Sequence, residues 1–191
     1  MLNRRQTIRE ILKNRTNELV VTGLGAPTYD VADADDNALN FYFWGAMGGA
    51  MLCGLGLALT RPNNHVMVIT GDGEALMGLG SFATIAQHKP DNLSIIILDN
   101  ESYGETGLQE SATASGVNLA DVARSCGIEN TRTVNTDEEL RALEQMLKSP
   151  DDTSVSVIKI ESKNHPRVTP IRDGVELKIR FKSALERLDS Q

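Results

Sequence analysis

Gly71-Asp72-Gly73 and Asp99-Asn100, with 25 residues between them, are the residues of this chain whose types and spacing could do chemistry. Asp72 offers a hard carboxylate oxygen, Asn100 an amide oxygen, and the backbone at Ser102 a carbonyl. All-oxygen sets of this kind suit Mg²⁺ that also holds a phosphate ligand. The glycines let the backbone approach such a ligand, and amides in the turn can face its oxygens. Each string ends an apolar run, His65-Val66-Met67-Val68-Ile69-Thr70 for the first and Leu93-Ser94-Ile95-Ile96-Ile97-Leu98 for the second. Both runs read as buried strands. A helix-like stretch to about Gln87 and a Lys89-Pro90-Asp91-Asn92 turn lie between them, which makes a strand–helix–strand unit. Parallel pairing then puts both strings beyond the carboxyl ends of their strands, where open α/β sheets bind ligands.

The elements that must position these strings follow one continuous α/β pattern without repeats or low-complexity linkers. Ile8, Ile11 and Leu12 predict a short amphipathic helix whose arginines form a solvated face, and Glu18 to Thr22 a short strand ending in Gly23-Leu24-Gly25-Ala26-Pro27. An acidic run (Asp30, Asp33, Asp35, Asp36) reads as a loop leading to Trp44, and Gly45 to Leu59 as a small-residue helix closed by Arg61-Pro62-Asn63-Asn64. Small residues in that helix fit either tight packing or close approach to a flat ligand. Beyond the central unit come a helix opened by Asn118-Leu119-Ala120-Asp121 and stopped at Gly127, a strand near Thr131–Val134, and a helix from Thr136 to about Lys148 with capping-box spacing to Glu139. Ser154 to Ile160 supplies the last core strand, and a tail from about residue 162 resumes as an amphipathic helix around Leu177 to Leu188. Alternation of strands and helices argues for one α/β domain over residues 1–191, a three-layer parallel sheet with helices on both faces.

Composition excludes more than it identifies. With 19 Lys and Arg against 26 Asp and Glu, the chain carries a net charge of −7, and it has no basic stripe interleaved with aromatics for nucleic acid. Cys53 and Cys126 are its two cysteines, read as reduced packing residues rather than a disulfide or metal site. No segment has the uninterrupted apolar length of a membrane span. The basic start (Arg4, Arg5, Arg9, Lys13, Arg15) lacks a signal peptide's apolar stretch, so a cytoplasmic location is expected.

The two strings at this spacing resemble the diphosphate-and-metal motif of thiamine diphosphate enzymes, which usually show Asn-Asn where this chain has Asp99-Asn100. The metal ligand matches the second of those positions, so the resemblance implies thiamine diphosphate and Mg²⁺ as cofactors, with Asp72, Asn100 and the Ser102 carbonyl on the metal. It implies that Gly71, Gly73 and Glu74 belong to the cofactor site as well. A Gly-x-apolar-Gly turn in the family touches the aminopyrimidine. By that match Gly45 offers its carbonyl to the 4′-amino group, and Met47 is the apolar wedge that bends the cofactor so that this nitrogen approaches the thiazolium C2 proton. Tyr103-Gly104-Glu105-Thr106-Gly107 is similar to the loop of one branch of the family, the sulfopyruvate and phosphonopyruvate decarboxylases. Its amides would complete the diphosphate site, with Thr106 facing the reacting centre. Glu105 is either an acid–base group or an ordinary solvated carboxylate.

Members of the family also use a separate pyrimidine-binding domain, whose glutamate hydrogen-bonds the cofactor and activates it. A second α/β domain does not fit in 191 residues. The activating glutamate is therefore expected on a partner, a pyrimidine-binding α subunit of a hetero-oligomer, meeting this chain at the Gly45–Leu59 helix and the Tyr103–Gly116 loop. The implied reaction is decarboxylation of a small anionic 2-oxo acid, sulfopyruvate first and phosphonopyruvate second. The rival readings are another split enzyme of the family (an acetolactate synthase-like carboligase or an oxidoreductase subunit) and a non-catalytic cofactor-binding regulatory subunit. His65, His88 and His165 fit no nucleophilic arrangement. His165, Arg167 and Arg172 lie in a C-terminal loop that could reach an anionic substrate, the plainer reading being a surface tail.

Overall fold

A six-stranded parallel sheet organises residues 1–190, which are the residues described by this computed structural model. In chain order the elements are α1 (Arg4–Leu12), β1 (Leu19–Thr22), α2 (Ala26–Ala34), β2 (Asn40–Tyr42), α3 (Ala50–Thr60), β3 (Val66–Gly71), α4 (Asp72–Met77) and α5 (Ser81–His88). Then follow β4 (Leu93–Asp99), β5 (Ser102–Tyr103), β6 (Gln109–Glu110), α6 (Leu119–Ser125), β7 (Asn130–Val134), α7 (Asp137–Leu147), β8 (Ser154–Lys159) and α8 (Gly174–Leu188). The sheet order is β2-β1-β3-β4-β8-β7, with β5 and β6 forming a small separate hairpin.

Period-two alternation on the strands makes two cores. Val21, Val68, Ile95, Ile97 and Val157 face α3, α5 and α6, while Val20, Met67, Ile69, Ile96 and Ile158 face α1, α2 and α7. Both faces of the central strands are buried, so they read as unbroken apolar runs. The register carries the two strings to one level: Gly71 pairs with Leu98 across β3 and β4, and Asp99 with Lys159 across β4 and β8. Gly54 lets α3 sit down on the sheet, since a Cβ there would lie 2.1 Å from Val68 Cγ2.

Several expectations are corrected. The first half of the acidic run is helix α2 rather than a loop, with Asp30 and Asp33 inside it and Asp35 at its C-cap: Pro27 occupies its first turn, and Asp30 is fully buried. The reason is non-local. Asp30 accepts hydrogen bonds from Arg4 Nε and, at 3.1 Å, from Arg5 Nε, so Arg4 is buried at the start of α1 instead of lying on a solvated face. The small-residue helix begins at Ala50, and residues 45–49 form a turn with Ala46 and Gly48 at φ +50° and +98°. The stretch expected as one helix to Gln87 is two, α4 and α5, broken where Gly78 packs against Gly48; a Cβ on Gly78 would lie 2.4 Å from the Gly48 oxygen. The amphipathic helix expected around Leu177 to Leu188 forms as α8, which buries Leu177, Phe181 and Ala184. The capping box of Thr136 and Glu139 forms as its spacing predicts.

The buried Asp30 gives the fold a sharp test. Removing one partner of a buried ion pair costs about 3–5 kcal/mol, whereas loss of a helix N-cap costs about 1 kcal/mol. Asp30→Ala should therefore lower the unfolding free energy severalfold more than Thr136→Ala in urea titrations. Equal losses would show that the Arg4–Asp30–Arg5 group contributes no more than a surface cap.

Candidate active site

A solvent-open cleft of about 790 Å³ lies at the carboxyl ends of β1, β3 and β4. Its wall brings together Met47, Gly71, Asp72, Gly73, Glu74 and Asn100 with Ser102, Tyr103, Gly104, Glu105 and Thr106. Gly45 lies off the wall, on the turn that carries Met47. Gly73 permits the packing of this corner, because a Cβ there would meet the Tyr103 ring at 2.7 Å. At Gly104 a Cβ would point into open space.

Asp72 opens α4 and is 2 % exposed. Its Oδ2 accepts from Ser111 Oγ at 2.5 Å and lies 3.3 Å from Thr113 Oγ1. A hydroxyl has one proton. Thr113 directs its proton to Asp99 Oδ1 at 2.8 Å, and Ser111 directs its own to Asp72. Burial raises the Asp72 carboxyl above the ordinary carboxylate range; the Ser111 hydrogen bond opposes that shift and the nearby Asp99 charge adds to it. Such a carboxylate gains from a cation.

Asp99 is 1 % exposed and is held from three sides, by Thr113, by the Glu101 N–H at 3.0 Å, and by Lys159 Nζ at 2.8 Å from Oδ2. Lys159 also donates to Glu101 Oε1 at 2.8 Å. Burial alone would lower the Lys159 amine, but its hydrogen bonds to Asp99 and Glu101 carry it above its ordinary range. Between these carboxylates Asn100 turns toward the cleft, its Oδ1 3.2 Å from the Ser102 N–H. Glu101 adopts φ +60°, a left-handed conformation uncommon for a residue with a side chain.

Glu74 is spent on the backbone. Its Oε2 accepts from the Leu24 N–H at 2.7 Å and its Oε1 from the Ala50 N–H at 3.3 Å, which ties the β1–α2 loop to the start of α3. Gly23 must be glycine there, since a Cβ would lie 2.0 Å from Glu74 Oε2. Glu105 packs over Gly25 and pairs with Arg167 at 3.0 Å.

The residues present fit a hard divalent cation bridging to a diphosphate: the donors are oxygens, one desolvated carboxylate leads them, and backbone N–H groups of the Gly71–Gly73 turn open α4 beside it. No cluster of three or more His, Cys, Asp or Glu that could hold a metal occurs among the described residues. Sequence reasoning missed Ser111, Thr113, Lys159, Arg4 and Asn164. Ser111 and Thr113 carried a signal, two hydroxyls with one residue between them after the Tyr103 loop, whereas Lys159 meets Asp99 through the β4–β8 register and Arg4 and Asn164 reach the cleft wall from distant parts of the chain.

The family model described as the thiamine pyrophosphate enzyme, C-terminal TPP binding domain, matches residues 23–160. Sulfopyruvate decarboxylase subunit beta of Methanocaldococcus jannaschii is 35% identical over 181 residues, covering 94% of this chain and 95% of the relative. The protein of the same description from Methanococcus maripaludis is 35% identical over 188 residues, 97% of this chain and 99% of the relative. Among solved structures, benzoylformate decarboxylase from Polynucleobacter necessarius superposes with a TM-score of 0.71 at 21% identity, over 86% of this chain. This chain spans 34% of that structure's length, and the likeness is one of fold.

Thr113 supplies the next test. Thr113→Val keeps the side chain's shape and removes one of the hydrogen bonds that hold Asp99, and a hydrogen bond to a charged group contributes about 1.5–3 kcal/mol. The variant should lose stability of that order in denaturant titrations without metal. A neutral result would mean that Asp99 is satisfied without Thr113.

Proposed function

Because this chain belongs to the thiamine pyrophosphate enzymes, we propose that it is the cofactor-binding subunit of a 2-oxo acid decarboxylase. The substrate we assign is sulfopyruvate, giving sulfoacetaldehyde and carbon dioxide, on the strength of relatives of that description whose whole length this chain matches. Phosphonopyruvate, which differs in the anion on C3, is the second candidate. When bound, thiamine diphosphate supplies the electron sink that lets a carboxylate leave as carbon dioxide.

The chain's own residues bind, orient and exclude water. Asp72, Asn100 and the Ser102 carbonyl would hold Mg²⁺, and amides of the Gly71–Glu74 and Tyr103–Thr106 segments would face the diphosphate. The turn at residues 45–49, with two positive φ angles, sets Met47 on the cleft wall, where it would serve as the apolar wedge, and Gly45 would offer its carbonyl to the pyrimidine amino group. Thr106 lines the same cleft and would face the substrate.

The observation that carries the split-site reading is the state of the cleft's glutamates. Glu74 accepts two backbone N–H groups and Glu105 is paired with Arg167, so neither is poised to accept from the pyrimidine ring. The activating glutamate would then come from a pyrimidine-binding partner. Leu52 on α3, Met77 at the end of α4 and Leu108 in the hairpin loop stand 43%, 63% and 43% exposed, and they supply apolar surface for that partner.

The decisive experiment compares the chain alone with the chain plus a pyrimidine-domain subunit, on sulfopyruvate, phosphonopyruvate and pyruvate. The expected result is no turnover alone and turnover of the sulfonate substrate by the mixture. Full activity of the isolated chain would overturn the split site. The metal assignment is read separately by calorimetry on the assembled complex. Asp72→Ala should abolish Mg²⁺-dependent binding of thiamine diphosphate with the fold intact, and an unchanged affinity would remove Asp72 from the metal.

A further inference from the structure

Residues 161–173 cross from the end of β8 to α8 without regular secondary structure, yet they are pinned along their length. Ser162 Oγ lies 3.1 Å from Ser102 Oγ, Arg5 Nη2 donates to the Pro166 carbonyl at 2.7 Å, and Trp44 Nε1 donates to the Ile171 carbonyl at 2.8 Å. Asn164 lies on the cleft wall. This strap delivers two arginines onto two neighbouring rings. The Arg167 guanidinium lies 5.4 Å from the Tyr29 centroid and that of Arg172 5.7 Å from the Trp44 centroid. The rings themselves are 6.2 Å apart. Tyr29 belongs to α2, whose first residues line the cleft, and Trp44 immediately precedes the turn that carries Met47.

Ring stacking singles out these two arginines on the strap, and charge separates them from the paired cations around the cleft. Arg4 and Arg5 share the buried Asp30, and Lys159 is spent on Asp99 and Glu101. Arg167 has the Glu105 carboxylate on one side, but its side chain is 60% exposed and retains open donors. Arg172 is within salt-bridge reach of no carboxylate among the described residues. Arg167 is joined to the cleft wall through Glu105, and Arg172 stands over Trp44 beside the turn that carries Met47.

From this arrangement we infer that Arg167 and Arg172 are specificity-determining residues that recognise the anionic group on C3 of the substrate, a sulfonate or a phosphonate. The inference rests on the decarboxylase reading above. Guanidinium forks match tetrahedral oxyanions, and rings beneath them fix their orientation. The reacting carboxylate is the wrong ligand for such a pair. A cation bound to it would stabilise the ground state of a group that must leave uncharged, which slows the chemical step. Arg167, paired with Glu105 of the cleft wall, and Arg172, over the ring that precedes the Met47 turn, instead grip the anion that survives the reaction.

The test uses the complex with the partner subunit and the variants Arg167→Gln, Arg172→Gln and Arg167→Lys. Turnover is measured with sulfopyruvate, phosphonopyruvate and pyruvate, and binding of the unreactive 3-sulfopropanoate and of thiamine diphosphate is measured by calorimetry. Each glutamine variant should lose at least about tenfold in kcat/KM for the C3-anionic substrates, as expected for one charged hydrogen bond. The loss should fall mainly on KM. Pyruvate turnover and cofactor affinity should stay unchanged, Arg167→Lys should retain part of the discrimination, and the substrate with the larger loss identifies the native anion. Equal losses on all three substrates, a fall in cofactor affinity, or no loss would overturn the inference and leave the arginines as packing for the strap. If the wild-type complex decarboxylates none of the three acids, the decarboxylase reading fails. The calorimetric arm then still decides the arginines, since undiminished 3-sulfopropanoate binding by the glutamine variants would overturn their role.

Discussion

Asp99 is a charge in the wrong place for a protein interior, and much of the cleft is arranged to keep it there. Desolvating a carboxylate costs several kcal/mol unless a partner and hydrogen bonds offset it. Lys159 provides the partner because β8 lies beside β4 in the one register that pairs the two residues. Thr113 provides a hydrogen bond because the loop after the small hairpin folds back over the strand end. That fold-back also sets Ser111 on Asp72. The aspartate found where related enzymes usually show asparagine is thus a coupled feature. It brings its own lysine, its own hydroxyl and a glutamate in a left-handed turn, and together these hold Asn100 at the cleft.

Two further buried carboxylates tie distant segments together. Glu74 accepts from the N–H groups that begin α3 and follow β1, and Asp30 gathers the first turn of α1 against α2. Each would be destabilising alone in an apolar interior. In combination they fix the loops on both flanks of the Gly71–Gly73 turn, so the cleft wall is set by carboxylates already spent on backbone N–H groups and arginines.

What could be read from the sequence was what depends on local pattern. The runs ending at Thr70 and Leu98 announce buried parallel strands, and the motifs at their ends fall on the cleft wall as their position demands. Thr136 and Glu139 announce a helix start because the capping box is a four-residue device. Helix α2 was hidden because its acidic residues look solvated until the arginines that bury Asp30 are placed from α1. The β5–β6 hairpin escaped because two-residue strands leave no period to detect. The strap of residues 161–173 lacks any periodic signal, and its anchors, Arg5, Trp44 and Ser102, lie far away in the chain.

The short bridge between Leu2 and Ile160 bears on how the protein is made. The Leu2 N–H donates to the Lys159 carbonyl at 3.0 Å, and the Glu161 N–H returns a hydrogen bond to the Leu2 carbonyl at 2.9 Å. One wall of the cleft therefore closes only when residues near the two ends of the chain meet, and contacts of such sequence separation form late and slowly. A ribosome-bound chain can build β1, β3 and β4 while residues 159–166 are still unsynthesised, but it cannot finish the pocket between them. Chains interrupted before β8 would be left with β4, an almost wholly apolar strand, as an open sheet edge ready to pair with another chain.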